Sequence, residues 1–450
     1  MKTIENPEAL KLVEESSSLS REARLKLRDE RLRSLVDYVR KNSPYFKKLY
    51  RELPEDFSLT DLPMTQKSIL LENYDEWVTN PELTKEEVFK YLDRDIFDTS
   101  KLLNKYTALK TSGSTGSPLP MVRDDYHNKI HGALMSKRLL RGLDPDILNP
   151  SKHKIATVIH TSPNASSYNG YLRTLAAFPD HKENMLAISV LDNIDDIVEK
   201  LNKFQPEVLT GYASSLLLLA LEKEEGRLDI PVKLICNSAE LLTEEAYHKL
   251  KDNFGCEVIN NYCMTEGGEI AMASGSPDLL LNEDWIIVEP VDSNKNPVTD
   301  SDKFSDGILI TDLSNYIQPI IRYYVSDRVR LKPSPEKEGL PILEIDGRVM
   351  EPFSLGGKKF TMAFLITKTE VWEGLVKFQA LQIDPDTLEI RGVVAPGYNP
   401  DEILGSLAKN LEQLFRQNGV QQPRIIYSKE PLMHNKNGGK IPRYIDLSAK

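Results

Sequence analysis

The sequence predicts an α/β fold: a large N-terminal domain with mostly parallel sheets over residues 1–347, and a small α+β domain over 348–450. Three observations lead there. From about residue 150, short β-type runs alternate with helical stripes. The last hundred residues read strand, turn, strand, helix, strand. The length of 450 residues, 40% of them hydrophobic, is enough to build at least one large core.

In chain order, Leu32, Leu35, Val36 and Val39 recur at i, i+3, i+4 and i+7 in a charged background, the stripe of an amphipathic helix that Asn42-Ser43-Pro44 stops. Residues 155–159 and 186–190 read as buried strands, and Ile194, Ile197, Val198, Leu201 and Phe204 as one helix face. Residues 233–236 form another strand, followed by Thr243 as N-cap with Glu244 and Glu245 in the first turn. Beyond Gly347, strands are predicted at 376–383 and 388–394 around Asp384-Pro385-Asp386. A helix follows, marked by Ile403, Leu404, Leu407, Leu411, Leu414 and Phe415 and ended by Asn418-Gly419, with a last strand at 424–427.

Charge narrows the function. With 57 Lys+Arg against 68 Asp+Glu the chain carries −11, which disfavours a non-specific nucleic-acid binder. Residues 351–450 carry 13 basic and 11 acidic residues, so a +2 unit faces a −13 body, a balance that suggests a cleft. Cys236, Cys256 and Cys263 form no CxxC pair and no His accompanies them at metal-ligand spacing, so no structural zinc site is expected. The polar N-terminus and the short apolar run at 216–221 lead us to expect a cytoplasmic protein with no membrane span.

The strongest local motif is Thr111-Ser112-Gly113-Ser114-Thr115-Gly116-Ser117-Pro118, whose hydroxyls and backbone amides can wrap a polyphosphate. It is not a Walker loop, because Gly116 is followed by Ser117-Pro118 instead of Lys. By composition alone it reads as a surface linker, but the motifs downstream of it weigh against a linker. Tyr262-Cys263-Met264-Thr265-Glu266 comes after a predicted strand, Arg322-Tyr323-Tyr324-Val325-Ser326-Asp327 after another, then Gly347-Arg348, and Gly438-Gly439-Lys440 ten residues from the end.

This ordered set resembles the adenylate-forming superfamily of acyl-CoA synthetases over residues 30–446. The segment Val36-Asp37-Tyr38-Val39-Arg40-Lys41-Asn42-Ser43-Pro44-Tyr45-Phe46, together with Leu62-Pro63-Met64-Thr65-Gln66-Lys67 and Ser238-Ala239-Glu240, resembles the phenylacetate-CoA ligase branch. The resemblance implies an enzyme that joins a carboxylate to ATP, releases pyrophosphate, and hands the acyl group to a thiol, with ATP, Mg²⁺ and coenzyme A taking part. It assigns Thr111, Ser112, Gly113, Ser114, Thr115 and Gly116 to the β- and γ-phosphates, Thr265 to the α-phosphate and Glu266 to Mg²⁺. Tyr262 would stack on adenine, with Ser238, Ala239, Glu240 and Asn261 around the base edge. Asp327 would take the ribose hydroxyls and Arg348 the ribose or phosphate. Lys440 would place its ammonium between the substrate carboxylate and the α-phosphate.

In this superfamily the small domain rotates between the half-reactions, and Ser354-Leu355-Gly356-Gly357-Lys358-Lys359-Phe360 is the candidate loop for pantetheine. Acyl selection would come from segments holding Tyr168, Tyr171, Tyr212, Cys236 and Gly267, compatible with an aryl or short acyl group. One departure touches the mechanics: the family's Gly-Arg-x-Asp-Asp hinge reads Gly347-Arg348-Val349-Met350-Glu351, so the hinge acid is missing or displaced to Glu351. Two alternatives stay open, delivery of the acyl group to a carrier-protein phosphopantetheine and a degenerate nucleotide-binding homologue. A homodimer is compatible with the resemblance.

Overall fold

The computed structural model describes residues 3–94, 100–110, 119–161, 166–190, 192–346, 353–360, 364–365, 372, 374–394, 397–433 and 443–448. Its centre is a nine-stranded sheet in the order Val329–Lys332, Ile342–Ile345, Leu280–Leu281, Gly268–Ser274, Glu257–Met264, Leu234–Ser238, Val208–Gly211, Ile155–Ile159, Met185–Ser189. The last five strands of that order run parallel, as the alternating pattern predicts. The other four join antiparallel. The change of direction occurs just after Met264, where the chain returns directly as Gly268–Ser274 without a crossover helix.

Alternate residues of each parallel strand divide between two cores. Ile235 and Leu209 face the helices Ile194–Phe204, Ala213–Glu224 and Glu244–Phe254. Leu234 and Val208 share the other core with Val13, Leu32, Val36 and Ile130, which come from Asn6–Ser17, Arg21–Asn42 and Asp125–Leu134. The helix Ala213–Glu224 is buried almost all round, which accounts for its continuous leucine run. Thr243 caps the Glu244–Phe254 helix by accepting from the Ala246 N–H at 3.2 Å. At 42–44 the expected stop is also a start: the Ser43 hydroxyl accepts from the Phe46 N–H at 3.3 Å and begins a short helix, Pro44–Leu49.

A three-stranded antiparallel sheet, Ile286–Val291, Gly307–Asp312 and Tyr323–Val325, lies beside this body. Thr65 docks on its edge, donating its N–H to Arg322 O at 3.0 Å and accepting from the Tyr324 N–H at 2.9 Å. The C-terminal unit has four strands in the order Arg424–Ser428, Thr387–Val394, Leu375–Asp384, Tyr444–Asp446, with the helix Pro400–Gln417 across them. Leu407, Leu411 and Phe415 belong to a separate core drawn only from residues 353 onward. The helix ends at Gly419, which adopts φ +86° as the Asn-Gly signal predicts. Among the described residues no helix is long and apolar enough to cross a membrane.

Candidate active site

Two neighbouring parallel strands deliver the first residues to one edge of the sheet. Ser238, last in its strand, pairs with Asn261, and the chain then turns through Ala239 in a left-handed conformation at φ +65°. A non-glycine residue there costs of order 1–3 kcal/mol. The turn is held by Asn237, whose Nδ2 donates to Glu240 O and to Asn260 Oδ1, both at 2.8 Å. The Glu240 carboxylate accepts the Ser214 N–H at 2.9 Å, capping the start of Ala213–Glu224, while burial pushes its pKa up. Asn261 Oδ1 is buried and takes no hydrogen bond among the described residues. That leaves one acceptor available beside the turn.

The phenol of Tyr262 donates to Asp327 Oδ2 at 2.6 Å, tying a strand of the central sheet to the loop between Tyr323–Val325 and Val329–Lys332. Burial, with the Asp327 charge second, raises the Tyr262 pKa well above its usual value, so the hydroxyl stays a donor. Three residues on, the Thr265 carbonyl accepts from Arg123 Nη2 at 2.9 Å. Arg123 ends the hairpin strand Pro120–Arg123, whose partner Thr107–Lys110 leads directly into residue 111, with Lys110 opposite Pro120. The strand leaving the hydroxyl-glycine segment is thus tied to the Thr265 turn. No sequence signal singles out Arg123, because its partner is a backbone carbonyl 142 residues away.

Glu266 is the next residue along the chain. Burial raises its pKa, the nearby Lys67 charge pulls it down, and Tyr323 donates one long hydrogen bond at 3.4 Å. A carboxylate so poorly solvated and weakly bonded fits a hard divalent cation, which would supply the missing charge. Gly267 and Gly268 close the turn against solid neighbours. A Cβ on Gly267 would lie 3.0 Å from Ile310 Cδ1, and one on Gly268, at φ +63°, 2.3 Å from the His131 ring.

The acyl-pocket candidates do not form one wall. Tyr212 and Tyr168 pack with the helical core on one side of the sheet, whereas Cys236 packs with the core on the other and its thiol is pushed up to about 12 by burial. The Tyr212 hydroxyl is engaged by the His160 N–H at 3.2 Å and Ser167 Oγ at 3.1 Å, and Tyr168 stacks on Tyr171 with 5.9 Å between ring centroids. Gly267 meets Ile310, so its missing side chain serves packing within the turn. Tyr168 and Tyr212 thus lie with the core on one face of the sheet and Cys236 with the core on the other.

The pantetheine candidates Gly356 and Gly357 sit at the tip of the hairpin Phe353–Leu355 and Lys358–Phe360, with φ +59° and +75°. Lys358 pairs with Asp195 at 3.4 Å and Lys359 with Glu225 at 2.7 Å, so the hairpin rests on the ends of two helices of the large body. Thr111, Ser112, Gly113, Ser114, Thr115, Gly116, Arg348 and Lys440 lie outside the described residues, as do Met350 and Glu351 of the hinge.

Solved structures share this fold. The chain is similar to 2-hydroxyisobutyryl-CoA ligase in complex with 2-HIB-AMP and CoA in the thioesterification state, with TM-score 0.58 and 16% identity over 96% of this chain and 91% of that one. The chain has the adenylate-forming fold. The same ligase in its postadenylation state, with R3-HIB-AMP, gives this fold a TM-score of 0.53 at 16% identity over 96% of this chain and 90% of that one. By sequence, the chain is 23% identical over 413 residues to protein CapK of Staphylococcus aureus, spanning 87% of this chain and 83% of that protein. No protein-family profile matches it.

Proposed function

We propose that the chain is an ATP-dependent acid–thiol ligase of the phenylacetate-CoA ligase type, which adenylates an aryl or short aliphatic carboxylic acid and passes the acyl group to coenzyme A. One observation carries this reading. Tyr262, Thr265, Glu266 and Asp327 converge at the carboxyl end of the parallel strands, tied by the Tyr262–Asp327 hydrogen bond across 65 positions of sequence. Ligands of open α/β sheets bind at that end.

A carboxylate is ionised at neutral pH and needs no general base; the obstacle is repulsion between it and the triphosphate. In this reading residues 111–116 hold the outer phosphates, Thr265 the α-phosphate, and Lys440 bridges the attacking carboxylate and the α-phosphorus. Mg²⁺ on Glu266 supplies neutralisation of phosphate charge. Asp327 holds the ribose, and the Ser238-Ala239-Glu240 turn frames the base with Asn261. In the second step the thiol adds to the acyl carbonyl and AMP leaves. The Gly356-Gly357 hairpin would reach the thiol's pantetheine arm after residues 348–450 rotate as a unit.

The test is carboxylate-dependent ATP–pyrophosphate exchange over a panel of aryl and short aliphatic acids, followed by addition of CoA. Exchange and an acyl-CoA product are expected with at least one acid. Exchange without acyl-CoA would redirect the second step to a carrier protein, and no exchange with any acid would overturn the reading.

A further inference from the structure

Behind the Thr265–Glu266 turn lies a buried polar cluster that the proposed reaction does not use. The helix Asp125–Leu134 presents His127 and His131, four residues apart, on one face, with ring centroids 4.0 Å from each other. Asp312 ends the strand Gly307–Asp312, and Ser314 lies two residues further on. All four are buried. Ser314 Oγ lies 2.9 Å from His127 Nδ1, 3.0 Å from His131 Nε2 and 2.6 Å from Asp312 Oδ1. His127 Nδ1 lies 3.2 Å from Asp312 Oδ2, and His131 Nε2 3.9 Å from Asp312 Oδ1.

We propose that His127, His131 and Asp312, with Ser314 on the fourth side, form a structural site for a zinc-class divalent metal ion that clamps the helix to the turn carrying Thr265 and Glu266. Zinc bonds of about 2.0–2.1 Å to nitrogen and oxygen set tetrahedral edges of roughly 3.3 Å. The Ser314 and His127 separations of 2.6–3.2 Å lie inside that value and the His131–Asp312 separation of 3.9 Å outside it, so the donors would shift by several tenths of an ångström to close on a metal. Glu269 fixes the His131 ring from behind, with its Oε2 2.5 Å and its backbone N–H 3.1 Å from Nδ1, which leaves Nε2 pointing inward. Two carboxylates, Asp312 and Glu269, are buried here, and a dication balances both. Asp312 Oδ2 is fully buried and has only the His127 ring nitrogen beside it, at 3.2 Å, so a metal would add charge compensation that one imidazole supplies only in part. Two imidazoles with a carboxylate and a hydroxyl favour zinc over magnesium or calcium, which take mainly oxygen donors. Glu269 stands three residues from Glu266, and the His131 ring fills the space a side chain on Gly268 would need, so the clamp acts directly on the turn.

The test uses the full chain purified without chelator, with metal counted by elemental mass spectrometry and the apo form titrated with zinc and with cobalt. About one zinc per chain is expected, together with the visible absorption of tetrahedral cobalt after exchange. His131→Ala should lose the metal, and Ser314→Cys should keep it and add a thiolate-to-cobalt charge-transfer band. A wild-type chain that carries less than about a tenth of an equivalent and neither binds added zinc stoichiometrically nor develops cobalt absorption would overturn the site and leave the cluster a hydrogen-bonded network. The metal count is independent of ATP–pyrophosphate exchange, so it stands or falls apart from the proposed function.

Discussion

The turn at Thr265–Glu266 and the hairpin at 353–360 are held in opposite ways. The turn is pinned from several sides by half-buried contacts, Arg123 on the Thr265 carbonyl, Tyr323 on Glu266, and Tyr262 on Asp327 close by, and by the buried His131 ring against Gly268. The hairpin sends Phe353, Leu355 and Phe360 into its own small core but meets the large body through Lys358 and Lys359, paired with the half-exposed Asp195 and Glu225, with Lys359 also 3.8 Å from the buried Glu222. Exposed pairs of this kind contribute ~0–1 kcal/mol each and weaken with salt. The difference teaches where rigidity is placed. In the proposed reading, the turn that meets developing charge is the firmly held region, and the unit that changes position between the half-reactions is the one resting largely on exposed pairs.

The sharpest way to break this comparison is Lys440→Ala. In the proposed reading it should lower adenylation, followed as ATP–pyrophosphate exchange, by at least ~10²-fold, the scale on which one transition-state donor acts, while leaving thioester formation from supplied acyl-adenylate intact. Equal loss in both half-reactions would remove Lys440 from its role. Next comes Arg123→Ala, which removes a charged hydrogen bond to the turn worth about 1.5–3 kcal/mol. Exchange should fall roughly ten- to a hundredfold, with Arg123→Lys recovering part of it; an unchanged kcat/KM would show that the turn holds its shape without this tie. The smallest effect is expected from Lys358→Glu with Lys359→Glu, a loss of at most ~2 kcal/mol of attachment. The ratio of the two half-reaction rates should shift while the melting temperature stays nearly constant, and raising salt on the wild type should shift it the same way. A large drop in melting temperature would mean that the hairpin contacts belong to the fold rather than to its movement.

Much of the parallel half of the sheet was legible because strands there are short apolar runs followed by helices with visible caps, as with residues 233–236 and Thr243. The antiparallel half was not, since the reversal after Met264 depends on Gly267 and Gly268 fitting against Ile310 and His131, contacts that no local pattern encodes. The same divide runs through the site. Tyr262, Thr265, Glu266 and Asp327 stand in recognisable motifs, and the structure places them together. Arg123 and Asp312 act through partners more than a hundred residues away and carry no motif. His127 and His131 did leave a trace, two histidines at helical i, i+4 spacing, but the carboxylate that gives the pair meaning comes from a distant strand.

The hydrogen bond from Tyr262 to Asp327 also bears on which sugar the site accepts. In the proposed reading Asp327 receives the ribose, and with one carboxylate oxygen taking the phenol's proton the other is the better acceptor for a ribose hydroxyl. A nucleotide lacking that hydroxyl would lose a hydrogen bond to a charged acceptor, worth about 1.5–3 kcal/mol. Competition between ATP and its 2′- and 3′-deoxy forms should therefore favour ATP by roughly ten- to a hundredfold against one of the two and much less against the other. Tyr262→Phe, by freeing the second oxygen, should narrow the gap between them.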